Sequence, residues 1–358
     1  MSQKKILVAP LNWGLGHATR CIPIIRALQE QGAAVVLASD GVAYDLLREE
    51  FPNLPIYQLP AYNIRYPFRS MMLSMAIQMP KILRGCIAEH IWLKKFLKIQ
   101  TVDAVISDNR FGFFNRKIYS VFMTHQVNIL VPIPFFQTLA NAINHFFIQK
   151  FDVCWIPDQP DVPNLAGQLA HGIFSKGLNT RYIGVLSRLK RLKMEKKYKA
   201  AIILSGPEPQ RTILEKKLWQ QLTQRMRDEP FLFVRGTRIQ ADFDKNTLKN
   251  VEIYDVLTSV QLNEKIAASE VVICRSGYSS VMDLAAIQKP AVLIPTPSQT
   301  EQEYLARMLM QQGQCFSLSQ DTFDLEKALE MYPKYKNFSN FDIENKALAE
   351  IISELLNF

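Results

Sequence analysis

Several features that identify other classes of protein are missing from this sequence. No uninterrupted apolar stretch reaches the roughly 18 residues that a membrane-spanning helix needs. The opening residues MSQKK run directly into a strand-like ILVAP, so we expect no secretory signal. The 5 cysteines are an odd number, widely spaced and without a C-x-x-C pair. We therefore expect free thiols in a reducing cytoplasm, with neither a disulfide framework nor a zinc site.

The sequence also has no histidine–cysteine cluster at metal-ligand spacing and no recognised nucleic-acid-binding motif. We expect no metal, no other cofactor and no nucleic-acid partner, although the net charge is +9. That charge is uneven, because residues 62–98 carry seven basic residues and one acidic residue among bulky apolar side chains. Such a mixture suits an anionic membrane surface. A core-facing helix with a solvated basic face would have the same composition.

The length of the chain and the alternation of strand-like and helix-like segments predict two domains. A chain of 358 residues is long for one average core. Short β-branched runs alternate with helical patterns on both sides of a basic stretch, which predicts two doubly wound parallel sheets of the α/β class. The predicted limits are 1–187 for the first domain, 188–199 for a basic linker and 200–340 for the second domain. The amphipathic segment 341–358 is expected to pack back on the first domain.

Three further segment predictions matter for the site. Periodicity predicts helices over 19–31 and over 71–97, the second broken near Pro80, and a strand over 182–186. In open parallel sheets, ligands bind outside the carboxyl ends of the strands. Two such domains facing one another would form a cleft, so the residues directly after the strands are the candidates for the site.

The first strand–helix junction carries the sequence NWGLGHATR. A dinucleotide-binding fingerprint needs a third glycine where this chain has Thr19, although Asp40 ends the second strand at the place of a ribose-binding acid. The alternative is an acceptor-side loop whose tight backbone presents His17 as a general base. The residues assigned to that loop are Asn12, Gly14 and Gly16.

Two more candidates for the base follow later strands of the first domain. Asp108 stands after the fourth predicted strand in SDNR, and His125 follows the fifth in THQVN. Both are expected at the same sheet edge as His17, and any of the three could activate a hydroxyl. The choice among them stays open at this point, since a carboxylate there also serves to orient a histidine.

The densest group of candidate binding residues lies between Val271 and Leu309. A strand delivers a positively charged turn that opens a helix, an arrangement suited to phosphate. Asp283 follows on that helix, placed to accept hydrogen bonds from ribose hydroxyls, and Gln302 with Glu303 could bind sugar hydroxyls. The residues assigned to the phosphate turn are Arg275, Ser276, Gly277, Tyr278, Ser279 and Ser280.

Loops after other strands of the second domain add candidates for the same ligand. Ser205 and Gly206 follow its first strand and could offer amides to the phosphates, with Arg211 one turn into the next helix. Arg235 ends the following strand. Tyr254 offers an aromatic face on which a flat base could lie.

The progression RSG…D…A…P…P…QEY, from Arg275 to Tyr304, resembles the nucleotide-sugar signature of glycosyltransferase family 28, the MurG-like family. The opening GLGHATR resembles that family's N-terminal loop and is closer still to a bacterial and archaeal branch with a GxGHATR motif. The resemblance implies a GT-B fold, in which two Rossmann-like domains with an interdomain cleft bind the acceptor and the donor respectively. It implies that Asp283 holds ribose, the RSG turn the diphosphate and Gln302 the donor sugar.

Two departures limit what the resemblance implies. Glu303 stands where the family has a second glutamine, so N-acetylglucosamine does not follow as the donor sugar. The NWGLGH loop lacks one glycine of the MurG loop, so the acceptor does not follow either.

The implied activity is an inverting, metal-independent transfer of a sugar from a nucleotide sugar, expected to be a UDP-sugar, to a hydroxyl. The implied acceptor is a lipid-linked or cell-envelope glycan, met by a cytoplasmic protein peripheral to the inner face of the cytoplasmic membrane. Alternatives are a nucleotide-sugar hydrolase of the same fold, a non-catalytic sugar-nucleotide-binding subunit and an NAD(P) enzyme.

Overall fold

The computed structural model describes residues 3–62, 71–131, 133–172, 177–226, 228–245, 247–338, 341 and 346–358, without the side chains of 71–76. Arg65 and Arg69 of the basic segment therefore lie outside the described residues. The chain divides into two compact units. Unit 1 comprises Met1–Ser187 and Glu344–Phe358, and unit 2 comprises Arg188–Ile343.

In the described part of unit 1, seven parallel strands form one sheet in the order β3-β2-β1-β4-β5-β6-β7. The central strands are almost wholly buried runs of Val, Ile, Leu and Ala, as expected for a parallel sheet covered on both faces. The strands are β1 Lys5–Pro10, β2 Ala34–Ser39, β3 Ile56–Gln58, β4 Ala104–Asp108, β5 Tyr119–Met123, β6 Val153–Ile156 and β7 Thr180–Tyr182.

Five helices in the described part of unit 1 cover this sheet. They are α1 Leu15–Glu30, α2 Gly41–Glu50, α3 Met71–Phe96, α4 Pro134–Ile148 and α10 Lys346–Asn357. Helix α10 is amphipathic, with Leu348, Ile352 and Leu355 buried on one face. The α10 helix contacts α1, and Gln31 Nε2 donates to the Ala349 carbonyl at 2.8 Å.

Three segment predictions for unit 1 need correction. Helix α1 begins at Leu15 and not at residue 19, so His17 lies in its first turn. Helix α3 continues through Pro80, where a break was predicted; helix-forming residues flank the proline on both sides, which limits its effect to the local loss of one hydrogen bond. Strand β7 ends at Tyr182, where the predicted strand began, because its register with β6 pairs Tyr182 with Ile156.

In the described part of unit 2, six parallel strands have the order β10-β9-β8-β11-β12-β13. The strands are β8 Tyr198–Ile203, β9 Phe231–Val234, β10 Val251–Tyr254, β11 Ser269–Cys274, β12 Ala291–Leu293 and β13 Phe316–Ser317. The helices are α5 Gln210–Arg225, α6 Ser259–Ala267, α7 Tyr278–Ile287, α8 Thr300–Gln311 and α9 Leu325–Met331. Strand β8 begins inside the predicted linker, because Tyr198 is buried and pairs with Ser269.

Both sheets reverse their strand order once, which confirms the prediction of two doubly wound α/β sheets. The reversal falls between β1 and β4 in unit 1 and between β8 and β11 in unit 2. The carboxyl ends of two neighbouring strands diverge there and leave a crevice for a ligand. Among the described residues, no helix is long and apolar enough to cross a membrane.

Candidate active site

The site in unit 1 begins at the junction of β1 and α1. Gly14 is the residue before the helix and has φ +80°, a left-handed conformation that glycine adopts without strain. The chain can therefore enter α1 immediately after the strand. His17 and Arg20 are three residues apart on that helix, so their side chains lie on the same face.

Asp108, at the end of β4, joins these two side chains. Pro10 of β1 pairs with Asp108 in the sheet, which brings the end of β4 beside the start of the glycine loop. His17 Nδ1 lies 3.1 Å from Asp108 Oδ1, and Arg20 Nε donates to Asp108 Oδ2 at 2.7 Å. Arg20 Nη2 donates to the other carboxylate oxygen and also lies 2.8 Å from His17 Nδ1. Arg20 thus holds Asp108 through a two-pronged contact, the strong geometry for an arginine–carboxylate pair.

His125, after β5, completes the group. Arg20 Nη1 donates to His125 Nδ1 at 2.9 Å. Because arginine can only donate, Nδ1 of His125 is the acceptor and a neutral His125 carries its proton on Nε2. The three predicted candidates His17, Asp108 and His125 therefore meet around Arg20. Sequence analysis did not assign Arg20, although its place three residues after His17 was a usable signal.

Burial and charge set the protonation states of the pair His17 and Asp108. Burial by itself raises the pKa of Asp108, but the charge of Arg20 and the hydrogen bonds from Arg20 and His17 outweigh it and hold that pKa well below its usual range. Burial lowers the pKa of His17, the charge of Asp108 opposes this, and Arg20 lowers it further. At neutral pH the cluster consists of an ionised carboxylate, a charged arginine and a neutral His17.

Asp40, the ribose-binding acid of the dinucleotide interpretation, is occupied within the protein. Its Oδ2 accepts from Asn12 Nδ2 at 3.1 Å, and its Oδ1 accepts from Arg110. Arg110 also pairs with buried Glu89 and donates to the Pro10 carbonyl at 2.9 Å. These contacts tie Asn12 and the end of β1 to the sheet, and they disfavour a dinucleotide site at this loop.

The site in unit 2 lies at the carboxyl ends of β8, β11 and β12. Arg275, directly after β11, is fully buried and donates to the carbonyls of Gln210, Ile294 and Pro295. Its Nη2 also donates to Gln320 Oε1 at 2.5 Å. Burial lowers the pKa of Arg275 to about 10, so it stays charged at neutral pH. Most of its donors fix the surrounding loops.

One donor of Arg275 is left over, and it lies beside a second unsatisfied group. Among the described residues, Arg275 Nε and Thr296 Oγ1 are both buried without a hydrogen-bond partner. A Cβ placed on Gly206 would lie 3.9 Å and 3.7 Å from these two atoms. Gly206 is exposed with φ +101°. Two unsatisfied polar groups therefore converge beside a glycine loop, where an anionic oxygen could satisfy both. Sequence analysis did not assign Thr296.

The turn after β12 is held by the residues assigned to the donor sugar. Gln302 Oε1 accepts from the Thr296 amide at 2.9 Å, and Glu303 Oε1 accepts from the Ser298 amide at 2.9 Å. Ser276 Oγ donates to the Gln302 carbonyl at 2.8 Å. These contacts bring Gln302, Glu303 and Ser276 to the same turn as Thr296.

Helix α7 follows the RSG turn. Gly277 is its N-cap residue and supplies no capping side chain. Tyr278 is buried, while Ser279, Ser280 and Asp283 are half-buried. Burial, with the added charge of Asp283, raises the pKa of the Cys274 thiol to about 12, which places Asp283 near the end of β11.

Arg211 and Arg235 are occupied away from this turn. Arg211 pairs with Glu208 at 2.6 Å and with Glu215 at 3.1 Å. Arg235 pairs with Glu215 at 2.5 Å and with Asp255 at 2.7 Å. These ion pairs indicate that both arginines stabilise unit 2, and the phosphate role predicted for Arg211 gains no support from them.

Tyr254 is likewise engaged by its neighbours. Its hydroxyl donates to Glu252, and Lys265 Nζ lies 4.5 Å from the centre of its ring. The ring of Tyr254 is therefore a less accessible surface for a base than the prediction assumed.

Ser205 is exposed beside Gly206, where the prediction places it.

Within the described residues, no group of three or more histidine, cysteine, aspartate or glutamate side chains could hold a metal ion. One D-x-D triplet does occur, at Asp242–Asp244. Asp242 pairs with Lys216 at 2.7 Å, and Phe243 stacks on Trp219 with ring centres 4.1 Å apart. Residues of the triplet are thus engaged in an ion pair and in ring stacking within unit 2, which explains the triplet structurally.

Comparisons with known proteins show a family resemblance for the second half of the chain. Residues 208–353 match the family model described as the glycosyltransferase family 28 C-terminal domain. A UDP-N-acetylglucosamine–N-acetylmuramyl-(pentapeptide) pyrophosphoryl-undecaprenol N-acetylglucosamine transferase from Rhodopseudomonas palustris (strain BisB18) is 36% identical over 110 residues. That alignment covers 30% of this chain and 27% of the relative, so the chain matches about a quarter of the relative's length.

Solved structures show the fold over the whole chain. The glycotransferase of kitacinnamycin superposes with a TM-score of 0.64 at 15% identity, covering 100% of this chain and 95% of that one. Acinetobacter baumannii MurG superposes with a TM-score of 0.55 at 17% identity, covering 99% and 95%. The predicted GT-B fold is confirmed. The predicted resemblance to the MurG-like family 28 is confirmed for residues 208–353.

Proposed function

We propose that the chain is an inverting, metal-independent glycosyltransferase that moves a sugar from a UDP-sugar to a hydroxyl of a lipid-linked or cell-envelope glycan. The observation that carries the proposal is the pair of unsatisfied polar atoms beside Gly206, Arg275 Nε and Thr296 Oγ1. Both residues lie within 208–353, the part of the chain that the family 28 model matches. A donor diphosphate supplies the oxygens that both groups lack.

Unit 1 supplies the base in this proposal. Asp108 Oδ1 and Arg20 Nη2 lie 3.1 Å and 2.8 Å from His17 Nδ1. In the proposed tautomer Nδ1 carries the proton and donates it to the Asp108 carboxylate, which leaves Nε2 of the neutral ring to accept the acceptor's hydroxyl proton. The freed oxygen attacks the anomeric carbon, and the bond from that carbon to the diphosphate oxygen breaks on the opposite side. The proton ends on His17, and Asp108 stabilises the resulting imidazolium. His125 is a weaker candidate for the base, because the carboxylate that would stabilise an imidazolium contacts His17.

Unit 2 supplies the stabilisation of the leaving group. Negative charge develops on the departing nucleoside diphosphate, next to the Arg275 N–H, the Thr296 hydroxyl and the N-terminus of α7. Because these hydrogen-bond donors are already in place, no free energy is needed to rearrange them as the charge develops. This supports a metal-independent transfer. Asp283 is assigned to the ribose hydroxyls and Gln302 to the donor sugar.

We further propose that unit 1 meets its acceptor at an anionic membrane surface. Helix α3 exposes Met79, Leu83, Ile87 and Ile91, four residues apart, and helix α4 exposes a second apolar row. The members of that row are Phe135, Phe136, Leu139, Ile143 and Phe146. A soluble monomer rarely exposes contiguous apolar patches of this extent.

Charge and position support the same surface. Both helices cover one face of the sheet. Leu93 and Phe96 of α3 share a buried cluster with Val105. Phe147 of α4 packs on Phe111, which stacks on Phe122. The exposed cations near the two rows are Lys81, Arg84, Lys94, Lys95, Lys98 and Lys150. This mixture suits the inner face of a cytoplasmic membrane.

The proposed donor is tested by a thermal-shift screen with UDP-, GDP- and dTDP-sugars. A UDP-sugar should raise the melting temperature most, because a ligand that binds only the folded state stabilises it. If no nucleotide sugar raised the melting temperature, the proposed function would be wrong. Incubation with the donor alone separates transfer from hydrolysis, since a hydrolase would release free sugar without an acceptor. Donor binding with no turnover on any glycan would indicate a non-catalytic subunit.

The proposed membrane surface is tested on vesicles. The double variant Ile87→Ser, Phe135→Ser should bind anionic vesicles at least tenfold more weakly, because it removes one exposed apolar side chain from each row. Val162→Ser is the matched control, since Val162 is an exposed apolar residue of unit 1 outside both helices. Equal binding by the double variant and the control would contradict the proposal.

A further inference from the structure

The basic stretch that sequence analysis took for a linker has no part in the proposed chemistry. Residues 188–199 carry seven basic residues and one acidic residue. In the structure this stretch belongs to unit 2, and every residue from Lys190 to Lys197 is exposed. Residues 188–197 form neither helix nor strand. The stretch Lys190–Lys197, here termed the basic strap, is thus an extended segment on the surface of unit 2.

Only some of the cations in residues 188–199 are neutralised within the protein. Lys197 pairs with Glu252 at 2.9 Å and Lys199 pairs with Glu270 at 3.1 Å. Among the described residues, no ion pair includes Lys190, Arg191 or Lys193. Arg191 donates to the neutral amide of Gln288 at 2.7 Å, so its charge is uncompensated. Three adjacent cations therefore face solvent with a single acidic neighbour in the strap, Glu195.

Apolar side chains alternate with these cations. Leu192 is 41% exposed and Met194 is 45% exposed, each next to Lys193. A nucleic-acid contact gains little from exposed aliphatic side chains, because the phosphate backbone is met by charge and the bases by aromatic stacking. A bilayer interface takes both components, with aliphatic groups entering the headgroup boundary and cations facing anionic lipid.

We infer that the basic strap is a contact of unit 2 with an anionic bilayer, additional to the surface proposed on α3 and α4 of unit 1. The inference rests on the proposed function only in assuming that the protein works at a membrane. Each cation near an anionic surface strengthens binding about fivefold, so three cations contribute about a hundredfold.

The test is vesicle binding by the full chain, measured by co-sedimentation. Vesicles of phosphatidylcholine with 30% phosphatidylglycerol are compared with phosphatidylcholine alone, each at low and moderate salt. The triple variant Lys190→Gln, Arg191→Gln, Lys193→Gln should bind the anionic vesicles about a hundredfold more weakly and lose most of the salt dependence. The variant Leu192→Ser, Met194→Ser should also bind more weakly, a result that a purely electrostatic contact would not give.

A charge-matched control separates a local contact from the effect of net charge. Lys249→Gln, Lys327→Gln, Lys336→Gln removes three exposed cations elsewhere in unit 2. Equal losses in the control and in the strap variant would overturn the inference. So would unchanged vesicle binding together with weaker binding of an oligouridylate, which would assign the strap to RNA.

The outcome is independent of the sugar-transfer proposal. Donor-induced thermal shifts of the strap variant should equal those of the wild type, and its melting temperature should be unchanged. If the wild-type protein bound no donor, the glycosyltransferase proposal would be refuted and the inference about the strap would be unaffected. If the strap variant kept its vesicle binding while the Ile87→Ser, Phe135→Ser variant lost it, only the inference about the strap would be refuted.

Discussion

Asp108→Asn gives the most direct test of the cluster in unit 1. The substitution keeps the size of the side chain and removes the charge that faces Arg20 and His17. Arg20 is 2% exposed and would remain buried without a counter-ion. Removing one partner of a buried ion pair costs about 3–5 kcal/mol, because the other charge is left uncompensated. We expect the free energy of unfolding of this variant to fall by that amount at pH 7.

The pH dependence of this loss follows from the depressed pKa of Asp108. Because the folded-state pKa lies below the unfolded value of about 3.9, the carboxylate contributes its full stability above that value. The contribution disappears as the pH falls through the folded-state pKa. The difference in unfolding free energy between wild type and Asp108→Asn should therefore be constant from pH 6 to pH 8 and shrink below about pH 4.

The same variant should slow the reaction. His17 loses the group that orients its Nδ1–H and stabilises its protonated form, so kcat should fall about 10²- to 10⁴-fold. The assays are urea denaturation and sugar transfer, with Asp45→Asn as a control because Asp45 is an exposed aspartate of α2. A stability loss below about 1 kcal/mol, with kcat within threefold of wild type, would refute the reasoning.

Further predictions concern the base and the donor site. His17→Ala should lower kcat about 10²- to 10⁴-fold with donor binding unchanged, while His125→Ala should cost less because Asp108 contacts His17; the reverse order in transfer assays would move the role of base to His125. Thr296→Val should raise the dissociation constant of a UDP-sugar about tenfold, by loss of one hydrogen bond to a charged group, without lowering the free energy of unfolding, because the hydroxyl has no protein partner. Calorimetric titration measures it, with Thr223→Val on α5 as control, and unchanged affinity would contradict the phosphate role. Gly206→Ala should weaken donor binding too, since φ +101° strains any other residue, and wild-type affinity would show that the loop adapts.

Much of the fold could be predicted from local sequence, because buried parallel strands are short runs of β-branched and apolar residues. Helix α6 was missed although Thr258 and Gln261 form a capping box, a pattern visible in the sequence. The start of α1 was misplaced because Gly16 lowers helix propensity, and the structure nevertheless includes it in the first turn. Tertiary packing decides such termini.

The candidate site was predicted in its location and only partly in its residues. His17, Asp108 and His125 follow strands whose order places them together, which strand-end reasoning can anticipate. Arg211 and Arg235 also stand at strand or helix ends, yet their partners Glu215 and Asp255 occupy them. The sequence does not show whether an arginine forms an ion pair with a carboxylate in the folded protein. For Thr296, the decisive fact is the lack of a partner, which requires coordinates.

Helix α10 has a consequence for how the chain is made. Its apolar face is buried in unit 1, against α1, while the whole of unit 2 lies between them in the sequence. During synthesis, unit 2 emerges from the ribosome and can fold as an uninterrupted segment before α10 reaches unit 1. The second unit in the sequence can thus be the first to be complete, and a chain stalled before residue 346 would leave the surface of α1 open to chaperones and proteases.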